Sequence, residues 1–421
     1  MSRTDTSPSA PSSPSAPSSP AAPSSPAGTP AAGTAALPLG LPVFALEAYF
    51  AQWEFVARYH LTASDAQSMT LAQLCDLTVD PDAARAGLLD THLGYLPTIG
   101  SQALRQAIAG MYEHVAPPDV LAFAGAEEAM FWALLTLLEP GDHAVVTVPN
   151  YQSMEALPAA AGAQVSGVSL WTGSGAELRW TLDVDRVEAA LRPNTRVVAV
   201  NFPNNPTGFV PDAATWAALL ELCDRRGIRL FSDEVYRGVE ADPAATLPAA
   251  ADLSERAVSV GVVSKSLCLP GLRVGWVACR DRVVLSWLER CKHYTSICNA
   301  APSEYLATLA IGARRRIFER VRGIVAENVG LVNTFFAEYP DLFSWTPPDG
   351  GCVAFARYAG PEGVGQFCSD LVRERGALLL PASVFASTLA EVPADRFRIG
   401  VGRLGLTEGL AAMHDHLGSR R

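Results

Sequence analysis

"GVVSKSLCLPGLRVGW", residues 261–276, is the stretch on which the fold turns. It reads as an apolar strand closed by a single lysine, a Pro-Gly turn, and a second apolar run opening with Arg273. A buried lysine at the end of such a strand costs free energy unless it is paired, neutral or covalently used. Working outward, "HAVVTVP" (143–149), "RVVAVNFP" (196–203), "IRLFSDEVY" (228–236), "AVSVGVVSKS" (257–266) and "RVGWVACR" (273–280) are further apolar runs. Helical patterns lie between several of them. In "DAATWAALLELCDRRG" (212–227), Asp212 is the expected N-cap, Gly227 the C-cap, and Trp216, Leu219, Leu220 and Cys223 the buried face. Continuous apolar strands separated by helices predict a mostly parallel sheet covered on both faces, the α/β class.

The chain has 421 residues, 49% of them hydrophobic and 18% charged. That length supports a large core and two or three domains, with no need for disulfides. The net charge is -11 and no basic block occurs, which argues against a nucleic-acid partner. The eight cysteines are scattered through apolar segments without a C-x-x-C pair and read as reduced, mostly buried thiols of a cytoplasmic protein. "HDH" (414–416) reads as part of a solvated C-terminal helix rather than a metal site. No apolar run reaches the roughly 18 residues of a membrane helix.

Residues 1–36 are almost entirely Pro, Ser, Ala, Gly and Thr and are expected to be disordered. Residues 37–84 read as an N-terminal arm and part of a small domain, with "VFALEAYFAQWEFVARYHL" (43–61) expected as one amphipathic helix. Residues 85–325 form the expected large domain. Within it, "LRQAIAGMYEHV" (104–115) puts Leu104, Ile108 and Met111 on one helical face, and "EEAMFWALLTLLEPGD" (127–142) reads as a helix stopped by Pro140-Gly141. A long helix at about 312–338 leads into a smaller α+β domain, residues 326–421.

Ligands of open parallel sheets bind beyond the carboxyl ends of the strands. Those ends carry Asn205, then Asp233 28 residues on, then Lys265 32 further on, with Tyr151 and Tyr236 beside them. An amine, a carboxylate, an amide and phenols at neighbouring strand ends are the set that pyridoxal phosphate (PLP) needs. The amine bonds its aldehyde, the carboxylate keeps its ring nitrogen protonated, and the amide and phenol bind its phenolic oxygen.

Together "NFPNNPTG" (201–208), "SDEVY" (232–236) and "SKSLCLPGLRVGW" (264–276) resemble the class I/II aminotransferases among fold-type I PLP enzymes. The resemblance covers about residues 85–410. It implies a large domain with a seven-stranded, mostly parallel sheet, a smaller C-terminal domain, and amino-acid and 2-oxo-acid substrates. It also implies that Lys265 carries the cofactor covalently and then serves as general base and acid. Asp233 would pair with the ring nitrogen, Asn205 and Tyr236 with the phenolic oxygen, and Tyr151 with the ring face. Arg273 and Ser264 would hold the phosphate, together with backbone N–H groups of Ala126 and Glu127 in "GAEEA" (125–129). Tyr95, in "GYLPTIG" (94–100), would reach the phosphate of a second subunit, implying a homodimer. Arg398, in "FRIGVGR" (397–403), would grip the substrate α-carboxylate, and no metal is implied.

This chain departs from the family pattern at Val262 and Ala126, where hydroxyl residues are usual, and at Ala382, where glycine is usual. The lost hydroxyls put more of the phosphate binding on Arg273 and backbone donors. Transamination is the expected reaction. The N-terminal "EAYFAQWEFVARYHLTASDAQSMTLAQL" (47–74) is instead similar to capreomycidine-synthase-like members, which implies PLP-dependent elimination and ring closure on a hydroxylated amino acid as the alternative. A non-catalytic PLP-binding regulator would carry a DNA-binding module ahead of this domain, and the 36-residue tail cannot fold into one.

Overall fold

The computed structural model describes residues 40–419, so the tail assigned above to disorder lies outside the described residues. Seven strands form the central sheet: β1 (Val120–Phe123), β2 (His143–Val148), β3 (Gln164–Ser169), β4 (Thr195–Asn201), β5 (Arg229–Asp233), β6 (Val258–Val262) and β7 (Gly275–Ala278). Their spatial order is β1-β7-β6-β5-β4-β2-β3. All neighbours are parallel except β7, which runs antiparallel to both β1 and β6. The interior strands β2, β6 and β7 are buried along their whole length, as their unbroken apolar runs require, because helices cover both faces. The helix Ala213–Arg226 has the caps its sequence announces. Asp212 accepts from the Thr215 N–H at 2.8 Å, and Gly227 takes the left-handed conformation.

The long helix Arg314–Glu338 leads to the second sheet, four antiparallel strands in the order β8 (Phe343–Ser344), β9 (Val353–Tyr358), β11 (Arg396–Gly400), β10 (Leu380–Pro381). The N-terminal segment joins this part of the molecule. Tyr59–His60 pairs in parallel with Ala377–Leu378.

That pairing corrects one expectation. The stretch 43–61 is not one helix: the helix α1 spans Ala45–Trp53, a turn follows at 54–56, and Tyr59–His60 then pairs with the edge offered by Ala377–Leu378. Likewise α2, Ala126–Thr136, ends before Pro140-Gly141, because Leu138 turns into the core under β2. The helix Gln102–Ala109 buries Leu104 and Ile108, but Met111 lies past its Gly110 cap. All eight cysteines are free thiols, six of them buried. The "HDH" segment is helical, and His414 and Asp415 are exposed as expected, but His416 is fully buried beside Phe367, with Glu374 3.2 Å away. Among the described residues no group of three His, Cys, Asp or Glu side chains could hold a metal.

Candidate active site

The parallel register brings the chemistry together. Asn201 at the end of β4 is level with Asp233 at the end of β5, and Asp233 is level with Val260 in β6. Three strands thus stop along one edge of the sheet, and the loops beyond them carry Asn205, Tyr236 and Lys265. The Asn201 side chain fixes this edge, donating to the Asp233 carbonyl at 3.0 Å and accepting from the Asn205 N–H at 2.7 Å. Asn204 donates to the Pro149 carbonyl at 3.3 Å, tying the loop that bears Asn205 to the one that bears Tyr151.

A cavity of about 450 Å³ opens over this edge. Its wall includes Lys265, Asp233, Asn205, Tyr236 and Tyr151. The Lys265 amine donates to the Ser64 hydroxyl at 2.9 Å. Burial holds that amine below the usual lysine range. Asp233 is 3% exposed, and burial pushes its carboxyl up to about 7 although the Val235 N–H donates to it at 3.2 Å. A cation beside it would restore its charge, and a protonated ring nitrogen is such a cation. The Tyr236 hydroxyl donates to the Ser64 carbonyl at 2.7 Å.

At one end of the cavity α2 begins at Ala126 without a side-chain cap. The N–H groups of its first turn lack intrahelical partners, and Ala126 and Glu127 both line the wall. Gly125 precedes them at φ +100, and a Cβ there would meet the Arg273 guanidinium at 2.6 Å, so only glycine admits the arginine this close. Arg273 itself sits in the left-handed region at φ 52, an unusual conformation for a bulky side chain and one common at functional sites. Its guanidinium donates to the Pro270 carbonyl at 3.2 Å and forms no ion pair among the described residues. The buried Ser264 hydroxyl has no hydrogen-bond partner among the described residues. An uncapped helix start, an unneutralised guanidinium and an orphaned hydroxyl make a cradle for a dianion such as a phosphate. The Glu127 side chain takes no part in it: its carboxylate is engaged by the hydroxyls of Ser153 and Tyr151, and burial raises it.

Two expected residues stand apart from the wall. Arg398 is fully buried one layer behind it, sandwiched between the rings of Phe50 and Phe385. It donates to the Asn205 side chain at 3.0 Å and the Thr62 carbonyl at 2.8 Å. Tyr95 is 91% exposed, away from its own chain's cavity. Conversely, the structure brings in residues that sequence reading passed over. Glu47 and Phe50 of α1 line the cavity, as do Ser64, Asp65 and Arg403. Asp65 clamps Arg403 through two guanidinium nitrogens, at 2.7 and 3.0 Å.

The donor set is of a kind that fits PLP: Lys265 could bond its aldehyde, Asp233 could face its ring nitrogen, Tyr151 could stack on its ring, and Arg273, Ser264 and the start of α2 could hold its phosphate. Fold and site together define a fold-type I PLP enzyme. The sequence profile of "Aminotransferase class I and II" matches residues 60–409, and the chain belongs to that family. A capreomycidine synthase from Streptomyces vinaceus is 30% identical over 91% of this chain and 95% of its own. An arginine–pyruvate transaminase from Pseudomonas aeruginosa is 30% identical over 87% and 92%. Among solved structures, a PLP-dependent aminotransferase from Streptococcus suis superposes with a TM-score of 0.82 at 30% identity, covering 90% of this chain and 98% of that one. A PLP-dependent cyclase gives 0.79 at 26% identity, covering 90% and 97%.

Proposed function

We propose that this enzyme transfers the amino group of an L-amino acid to a 2-oxo acid, working as a cytoplasmic homodimer. The observation that carries the reading is the convergence of Lys265, Asp233 and Asn205 on one cavity with a phosphate cradle at its end. When bound, PLP supplies a ring that accepts the electrons released at the substrate Cα. Every other part belongs to the chain. Lys265, with its amine lowered by burial, removes the Cα proton and returns it. Asp233 keeps positive charge on the ring nitrogen. Arg398, rigid between two aromatic rings, is the anchor for the α-carboxylate once Asn205 yields to it. α1, which lines the cavity through Leu46, Glu47 and Phe50, limits the access of water to these steps.

Glu47 and Glu54 line the cavity, and neither forms an ion pair among the described residues. They support a donor with a basic side chain, as does the kinship with an arginine–pyruvate transaminase. The test is a half-reaction. Loaded enzyme is mixed with single amino acids, without an acceptor. About one 2-oxo acid released per site, followed by arrest, is the expected result, with basic amino acids reacting fastest. Continued turnover without an acceptor, releasing water or ammonia, would replace this reading with elimination and cyclisation. That second reading is favoured by the match to capreomycidine synthase, which runs through the α1 segment.

Leu89, Leu93, Tyr95 and Tyr294 are all between 80% and 91% exposed, which supports burial against a second copy. If Tyr95 completes the partner's phosphate site, Tyr95→Ala and Lys265→Ala chains will each be nearly inactive alone. Refolded together they should recover about one quarter of wild-type activity, because half the dimers pair a sound lysine with a sound tyrosine at one site of two. Absence of recovery in demonstrably mixed dimers would place Tyr95 outside the partner's site.

A further inference from the structure

The run 61–66 crosses the cavity, and five of its six residues are buried: Leu61, Thr62, Ala63, Asp65 and Ala66. Ser64 alone is half-open, because it faces the cavity. Both of its polar groups are used on the reacting machinery. Its hydroxyl accepts from the Lys265 amine at 2.9 Å, and its carbonyl accepts from the Tyr236 hydroxyl at 2.7 Å. Among the described residues the hydroxyl makes no bond to neighbouring backbone, as it would in an ordinary serine turn.

The scaffold around Ser64 is rigid on both sides. The Gly400 N–H donates to the Leu61 carbonyl and the Gln67 N–H to the Gly402 carbonyl, both at 2.8 Å. Thr62 accepts from Arg398, and Asp65 clamps Arg403. A Cβ on residue 400 would meet the Ala63 carbonyl oxygen at 2.3 Å, so glycine lets the two segments approach this closely. A hydroxyl held this firmly beside a general base has a chemical use, since serine can accept from an ammonium while keeping its own proton to donate.

We propose that Ser64 is a positioning residue for Lys265, the station at which the amine and the proton it has lifted are held whenever the amine is not bonded to the cofactor. In the step concerned, the neutral amine takes the Cα proton and becomes an ammonium, the Cα–H electron pair stays on the substrate, and Ser64 Oγ accepts a hydrogen bond from the new ammonium. Returning the proton reverses it. No oxidant or further reactant enters. The proposal rests on Lys265 as the base and holds for transamination and elimination alike.

The test uses Ser64→Ala and Ser64→Thr in the full chain. In cofactor-free protein, the pKa of the Lys265 amine is read from the pH dependence of its labelling by trinitrobenzenesulfonate. Loss of an acceptor from the ammonium should lower it in Ser64→Ala by about one unit, a tenfold change in proton affinity. In loaded protein, exchange of the donor Cα hydrogen with deuterated water should slow roughly tenfold to hundredfold. KM should change little, and Ser64→Thr should restore both readouts. An unchanged amine pKa with an unchanged exchange rate overturns the proposal. So does a threonine variant that recovers the thermal midpoint but neither readout. If the alanine variant does not fold, Ser64→Cys, a weaker acceptor, takes its place with the same predicted directions. Wild-type enzyme that exchanges Cα hydrogen but releases no 2-oxo acid would overturn transamination and leave the role of Ser64 standing.

Discussion

Lys265→Ala is expected to lose turnover by about ten-thousandfold or more, the upper end of what a positioned acid–base group contributes. It should also lose the covalent attachment of the cofactor. Borohydride reduction followed by intact-mass measurement separates the two losses. Wild-type chain should gain the mass of one cofactor, and the variant should gain none while still binding PLP through Arg273, Ser264 and the start of α2. The cost of burying this lysine explains why the loss is confined to function. Its amine is already held below the usual range by burial, so its removal relieves the fold of a desolvated base. The variant should therefore melt at or above the wild-type temperature in the cofactor-free state. Normal turnover by the variant would remove the basis of the mechanism.

The second large effect belongs to Asp233. In the loaded enzyme, Asp233→Asn should lower turnover by roughly a hundredfold to a thousandfold, because a neutral amide cannot hold positive charge on the ring nitrogen. In the cofactor-free protein the same change should act on stability with a definite sign. Burial pushes the Asp233 carboxyl up to about 7, against about 3.9 in an unfolded chain. Between those values the folded state holds a proton that the unfolded state has lost, so stability from this group falls as pH rises through the window. Asparagine does not titrate. The variant should therefore gain on the wild type between pH 4 and pH 7, by a few kcal/mol in all. Denaturant unfolding of the two cofactor-free proteins at several pH values measures this. A stability difference that stays constant with pH would mean that Asp233 remains charged in the empty fold. Saturating PLP should shrink the wild type's deficit near pH 8, because the ring cation makes the carboxylate favourable.

The strand-end residues could be read from the sequence because each interrupts an apolar run that has no other reason to stop. Asp233, followed directly by Glu234, closes β5, Lys265 is the lone charge just beyond β6, and Asn205 follows β4 after a short loop. Their neighbourhood follows from parallel order alone. The wall opposite them could not be read in this way. Ser64 meets Lys265 across 201 residues, Thr62 meets Arg398 across 336, and Asp65 meets Arg403 across 338. No local pattern encodes such contacts, and "TASDAQS" has the composition of an ordinary surface loop. The mistaken helix over 43–61 has the same origin. After a turn at 54–56 the chain leaves the helix, and Tyr59–His60 is extended because an edge more than 300 residues away is there to pair with it, so tertiary pairing overrides local periodicity. Arg398 was identified as a residue but not as a layer, since nothing in "FRIGVGR" reveals the two rings that enclose it.

The fastening of residues 61–67 to Gly400, Gly402 and Arg403 has a consequence for how the protein is made. On the ribosome, Ser64 emerges early and Lys265 at mid-length, but the strand that fixes Ser64 in place emerges almost last. Translation intermediates that already carry the whole central sheet therefore present a lysine with no seat for its amine. A nascent polypeptide stalled before residue 396 already carries Lys265 and the phosphate cradle, so it should still take up PLP, yet it should exchange a donor's Cα hydrogen more slowly than the finished chain because the free amine has no fixed seat.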